Sequence, residues 1–165
     1  MKVDLFLFFA FLSQIALSSM AIASPPSSRV SLCEKGEATF FSCVLENKKI
    51  VSLCGDSDNL SSTKNGYVQY RFGSPSNMEM MYPKKHTPPV GIFFKSDNSG
   101  GSVTTANEVF FNIGNYKYIL GYAEVNNGYL AVVKGKDEPQ VFFKRCDKKQ
   151  PIIEIPQDLS RFEQR

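Results

Sequence analysis

Val109-Phe110-Phe111-Asn112-Ile113, then Gly114-Asn115, then Tyr116-Lys117-Tyr118-Ile119-Leu120-Gly121-Tyr122 is the stretch whose reading decides the fold. Two runs rich in β-branched and aromatic residues flank a two-residue loop, and glycine at its first position suits the type II′ turn that joins twisted antiparallel strands. Alternation puts Tyr116, Tyr118, Leu120 and Tyr122 on one face of the second run, with Lys117, Ile119, Gly121 and Ala123 on the other. The aromatic face is expected to point inward. Asn127-Gly128 carries a type I′ signature and leads into Tyr129-Leu130-Ala131-Val132-Val133, and a loop at Gly135-Lys136-Asp137-Glu138 returns the chain into Val141-Phe142-Phe143-Lys144-Arg145-Cys146. Three successive hairpins make a meander.

The same signals extend upstream. Tyr67-Val68-Gln69-Tyr70-Arg71-Phe72 follows the turn pair Asn65-Gly66 and stops at Gly73; Met78 to Tyr82 stops at Pro83; Gly91-Ile92-Phe93-Phe94-Lys95 precedes a Gly/Ser-rich loop. Strand-type composition, with turn signals every eight to twelve residues or so, predicts an all-β fold, a single antiparallel β-sandwich or small barrel of about eight strands. No segment has a helical period apart from one turn around Asp158 to Phe162, with Asp158 as its N-cap. In the short 78–82 run, Met78, Met80 and Met81 beside Tyr82 offer an adaptable binding edge, but Met78, Met80 and Tyr82 share a face, which suits an ordinary core strand better.

The first 23 residues have the form of a cleaved signal helix. Lys2 provides the positive start, residues 5–17 an apolar stretch too short to span a bilayer, and Ala21-Ile22-Ala23 the small residues before a cleavage site. The expected organisation is a signal peptide at 1–23, an N-terminal lead-in at 24–36, a β-domain at 37–150 and a C-terminal tail at 151–165. No membrane span is expected after cleavage, and the expected location is periplasmic or secreted. The leader has one Lys and one Asp, so the remainder keeps the formal charge of +3. Its basic residues are scattered, with small clusters at Lys84-Lys85-His86, Lys144-Arg145 and Lys148-Lys149. No basic stripe of the kind that binds nucleic acid is present.

Four cysteines in an exported chain read as a disulfide framework with three connectivities open to it. A hairpin centred on Lys48-Lys49 sets Cys43 opposite Cys54, which leaves Cys33 to pair with Cys146. There is no C-x-x-C pair and one histidine, so no metal site is expected. His86 is flanked by Lys84, Lys85, Thr87, Pro88 and Pro89 and reads as an exposed loop residue, not a general base. The acidic pairs Asp56 with Asp58 and Asp137 with Glu138 fall in turns. Asn59-Leu60-Ser61 has the form of a glycosylation acceptor, which the bacterial character of the leader argues against. No catalytic residue and no cofactor is assigned. The candidate binding residues are Ser99, Gly100, Gly101 and Ser102, a small-residue loop suited to close approach to a partner.

The series Phe41-Ser42-Cys43, Leu53-Cys54, Tyr70-Arg71-Phe72-Gly73 and the late Cys146 resembles a group of small exported bacterial proteins of uncharacterised function. There an F-S-C strand, an L-C strand and a Y-R-F-G strand occur in this order before a Gly/Ser-rich loop and a terminal Cys. The resemblance covers most of the chain after the leader and implies export, disulfides and an all-β fold, with no reaction; Cys33 lies outside the shared pattern. A looser analogy is with periplasmic lysozyme inhibitors, disulfide-tied β-barrels that offer a Ser-Gly loop to an enzyme cleft, although their longer Ser-Gly and Trp motifs are missing here. The expectation is an exported β-domain that binds an envelope or extracellular protein, in its most concrete form a hydrolase inhibitor. The alternatives are a small carboxylate-dependent hydrolase and a structural envelope protein.

Overall fold

The computed structural model describes residues 30–97, 106–123, 127–135, 140–153, 155, 158 and 160–165. Its strands are β1 (Glu37–Val44), β2 (Ile50–Asp56), β3 (Val68–Ser74), β4 (Asn77–Tyr82), β5 (Phe94–Asp97), β6 (Ala106–Ile113), β7 (Tyr116–Ala123), β8 (Asn127–Lys134), β9 (Gln140–Arg145), β10 (Ile152–Ile153) and β11 (Glu163–Gln164). They form two sheets, ordered β10-β1-β2-β3-β4 and β11-β5-β6-β7-β8-β9. The protein is thus all-β, a sandwich of two sheets and not a closed barrel. The strand count exceeds the expected eight because the tail joins both sheets: β10 pairs with β1, and β11 lies parallel to β5.

The meander follows its sequence signals at the decisive turn. Ile113 faces Tyr116 across Gly114-Asn115, and Gly114 has φ +56° while Asn115 stays out of the left-handed region, as a type II′ turn requires. Asn127-Gly128 is a correction. Both residues are ladder members, opposite Ala123 and Tyr122, so the connection falls on residues 124–126, outside those described. Gly128 serves a different need: a Cβ there would meet Cys146 Sγ at 2.6 Å and the Phe41 ring at 3.2 Å. Gly121 is similar, since the ring of its cross-strand partner Tyr129 occupies the space a Cβ would take. The Tyr129 hydroxyl continues over Gly121 to donate to Glu108, which also accepts from Ser96 Oγ at 2.8 Å.

Between the sheets, Phe41, Val51, Leu53 and Tyr70 meet Phe93, Val109, Phe111, Leu120 and Leu130. Phe111 is the hub. Its ring stacks between Tyr82 at 5.1 Å and Tyr118 at 5.0 Å, and Tyr70 and Phe93 tilt against it at 5.0 and 5.2 Å. Offset and tilted rings at these separations gain energy beyond their buried area. From the tail, Ile155 and Phe162 enter the same core, and Phe162 meets Phe40 edge-on at 5.6 Å. Asp158 does cap a turn, accepting from the Ser160 amide at 2.9 Å, but β11 follows it and no helix is present among the described residues.

The cysteine pairing differs from the expected one: Cys33 bonds Cys54, and Cys43 bonds Cys146. The cause is the first hairpin, whose turn centres on Asn47. Lys48 takes the left-handed conformation at φ +67°, its amide donates to Leu45 O at 2.8 Å, and Val44 pairs with Ile50. Cys43 therefore faces Val51. Cys54 lies three residues beyond Val51, an odd step, and so points to the opposite face of the sheet. Cys43 faces the core, where Cys146 arrives from the end of β9 through backbone bonds from Glu46 N to Arg145 O and from Asp147 N to Val44 O. Cys54 faces outward, toward Cys33. With Phe142 of β9 against Phe72 of β3 and Cys146 tied to β1, β9 crosses the five-stranded sheet from β3 to β1, as in crossed sandwiches.

Peptide mapping without reduction is expected to recover Cys33 joined to Cys54 and Cys43 joined to Cys146. The two closures span 21 and 103 residues. On the chain-entropy account, replacing Cys43 and Cys146 by Ser costs about 4–5 kcal/mol in denaturant titration, against about 3 kcal/mol for the Cys33 and Cys54 pair. A larger loss from the shorter loop would show that local packing, not chain closure, dominates.

Candidate functional site

Alternation along β3 sends Tyr70 and Phe72 between the sheets and Gln69 and Arg71 to the outer face. On both sides of β3 this produces a feature worth testing for function.

The inner feature is a cleft. Tyr70 and Phe72 of β3 with Met80 of β4 form one wall; Tyr116 and Tyr118 of β7, Leu130 and Val132 of β8, and Val141 and Phe142 of β9 form the other. It encloses about 290 Å³, the lower end of the roughly 300–1,000 Å³ usual for small-molecule sites. Two β-bulges open it. One lies in β4, where Glu79 is the extra residue opposite Phe72 and Gly73, the other in β9, where Val141 is the extra residue opposite Val132 and Val133, so each sheet bends just past the row that lines the cleft. Gly73, at φ +144°, leaves no room for a Cβ against Asn77 O and Glu79 N, so the first bulge needs glycine. Of the 78–82 run, Met80 and Tyr82 pack against the core as alternation predicts. Met78 lies beyond the bulge and is exposed.

The cleft wall is apolar apart from its tyrosine hydroxyls. Tyr70 is 1% exposed, while Tyr116 and Val141 at the mouth are 40% and 53% exposed. Burial, with a smaller contribution from the Tyr118 hydroxyl, pushes the Tyr70 phenol up; burial and then Tyr116 push Tyr118 up. Both stay protonated donors at neutral pH. Among the described residues, none that lines the cleft is a carboxylate, a cation or a histidine.

The outer feature is a polar layer under a strap. The Arg71 guanidinium, 2% exposed, meets the Glu37 carboxylate through two bonds of 2.7 Å. Its Nε donates to Gln69 Oε1 and Nη1 also to Leu32 O, both at 3.0 Å. The strap is the segment around Val30 and Leu32. Ser42 Oγ donates to Val30 O, the Leu32 amide donates to Ser52 Oγ, and Cys33 bonds Cys54 beneath it. Tyr67 donates to Glu37 at 2.5 Å, and His86 stacks on the Tyr67 ring at 3.7 Å, 2° from parallel. Burial tends to raise Glu37, but hydrogen bonds from Arg71, Tyr67 and the Glu34 amide outweigh it and hold the carboxyl below its ordinary value. Burial and then the Glu37 bond push the Tyr67 phenol up to about 12. Ligand atoms of Cys33, Glu37 and Cys54 lie within 4.8 Å of one another, yet the sulfurs bond each other and the carboxylate holds Arg71. This layer is structural.

The sequence-predicted loop Ser99, Gly100, Gly101 and Ser102 lies outside the described residues, as do Asp137 and Glu138. His86, Lys84, Lys85, Arg145, Lys148 and Lys149 are exposed, and Lys144 is half-buried. Asp56 organises its own turn, accepting from the Asp58 amide and then the Asn59 amide group, which holds its carboxyl below the usual range. Asn59 of the glycosylation-like triplet is thus engaged within the fold. The only sequence signal at the cleft was the methionine run that includes Met80, and Phe72 and Phe142 read as ordinary core positions. Compared with protein-family models, curated proteins and solved structures, the chain matches none. Among the described residues no helix is long and apolar enough to cross a membrane. The two disulfides suit an oxidising, extracytoplasmic environment.

Replacing Glu37 by Gln leaves the Arg71 charge buried without its counter-charge and is expected to cost about 3–5 kcal/mol in urea titration. Because the folded Glu37 value is depressed, its stabilisation is complete above the ordinary value of 4.5 and declines as pH falls through the lower folded value. The stability-against-pH curve of Glu37→Gln should be flatter than that of the parent below pH 4.5.

Proposed function

We propose that this chain is an exported binding protein, periplasmic or secreted, that takes an apolar ligand into the cleft between its two sheets. The cleft carries the reading. An aqueous opening walled by Phe72, Met80, Leu130, Val132 and Phe142 holds apolar surface that a monomeric core would otherwise close over, and occupancy by a hydrophobic molecule removes that surface from water. The crosslinked sandwich around it supplies a largely preformed wall, so binding costs little ordering. Action by binding was expected from the sequence, with a loop inserted into a hydrolase as its concrete form. The cleft moves the proposed contact from residues 99–102 to the inter-sheet end of β3, β4, β7, β8 and β9.

The neutral fluorophore N-phenyl-1-naphthylamine is expected to brighten on mixing with the oxidised protein and to saturate at one site. Val132→Phe, which fills the cleft, and Val141→Asp, which sets a charge at its mouth, should each weaken the dye at least tenfold while the protein stays folded by circular dichroism. Unchanged dye affinity in both variants would remove the cleft from the proposal.

A further inference from the structure

Resting on that reading, we infer that the cleft selects a neutral molecule, an apolar body bearing a hydrogen-bond acceptor such as a carbonyl or ester oxygen, which Tyr118 and Tyr70 hold as donors. None of the nine described lining residues is a carboxylate, a cation or a histidine that would meet an ammonium or a carboxylate group, and an ion taken from water into such a wall loses several kcal/mol of hydration without compensation.

The Tyr70 and Tyr118 rings stand 6.0 Å apart, one from each sheet, and both side chains line the cleft. Hydrogen bonding contributes to neither residue's titration. Among the described residues the buried side-chain polar atom without a partner is Arg161 Nε, which lies elsewhere, so the Tyr70 and Tyr118 hydroxyls are not sealed off in the core. They are donors with capacity to spare, set where a ligand would come to rest. Tyr116 at the mouth offers a third hydroxyl along the path from solvent. Lys144 is the cation to consider against this view, because it pairs with Leu130 in the ladder. It is not part of the cleft wall.

The test uses displacement of N-phenyl-1-naphthylamine from the oxidised protein by methyl octanoate, octanoate and octylammonium, in the parent and in Tyr118→Phe. The ester should displace the dye at concentrations at least tenfold below either ion. Tyr118→Phe should weaken the ester roughly five- to tenfold more than it weakens the dye, the worth of one neutral hydrogen bond. Octanoate competing as well as the ester overturns the inference, and loss of that competition in Lys144→Met would assign the head group to a carboxylate. Equal ester affinity in the parent and Tyr118→Phe also overturns it, while leaving the cleft as a purely hydrophobic site. Failure of the dye to bind at all brings down the proposed function itself.

Discussion

A guanidinium and a carboxylate kept from water on the outside of a sheet impose the main constraint on this molecule. Arg71 lies in the middle of β3 and Glu37 at the start of β1, with β2 between them. The pair meets only if all three strands hold one register. Its geometry must be nearly complete, because an imperfectly matched ion pair in a low-dielectric setting costs more than it returns. That requirement explains the strap. Leu32 supplies a carbonyl to Arg71 and an apolar side chain to the cover, and the bond between Cys33 and Cys54 fastens the segment at the row where Cys54 pairs with Gln69.

Residues that obey local rules were legible in the sequence. Gly114-Asn115 and the alternation after it gave the register of β6 and β7, and with it the inward aromatic row through Tyr118 and Leu120. Two turn signals misled for a shared reason. The polar stretch 46–49 admits more than one centre, and Asn127-Gly128 fits a ladder as well as a turn once Gly128 is needed beside Cys146. A shift of the first turn toward Asn47 moved Cys54 to the far face and rearranged both disulfides.

The outer polar layer and the cleft were illegible for different reasons. Alternation assigns Gln69 and Arg71 to a water-facing side, and only the return of the chain at Leu32, distant in sequence, buries them. The cleft is a contact that fails to form. It depends on bulges in β4 and β9, one of them faced by a glycine, Gly73, that reads equally well as a strand end. On the opposite sheet's outer surface, Phe94 and Phe110 are covered by basic side chains, with Arg165 and Lys117 lying over the rings at 4.8 and 3.8 Å. The last residue of the chain thus shields part of β5.

The bond from Cys43 to Cys146 joins the two layers at a single corner. Phe142, at the cleft, lies four positions back along β9 from that corner, and Phe72 lies two strands away from Cys43. A bivalve has the same mechanics: a hinge on one margin and free lips on the other. Spacing at the lips rests on side-chain packing, such as the edge-on meeting of Phe72 with Phe142 at 6.5 Å, and not on a covalent tie.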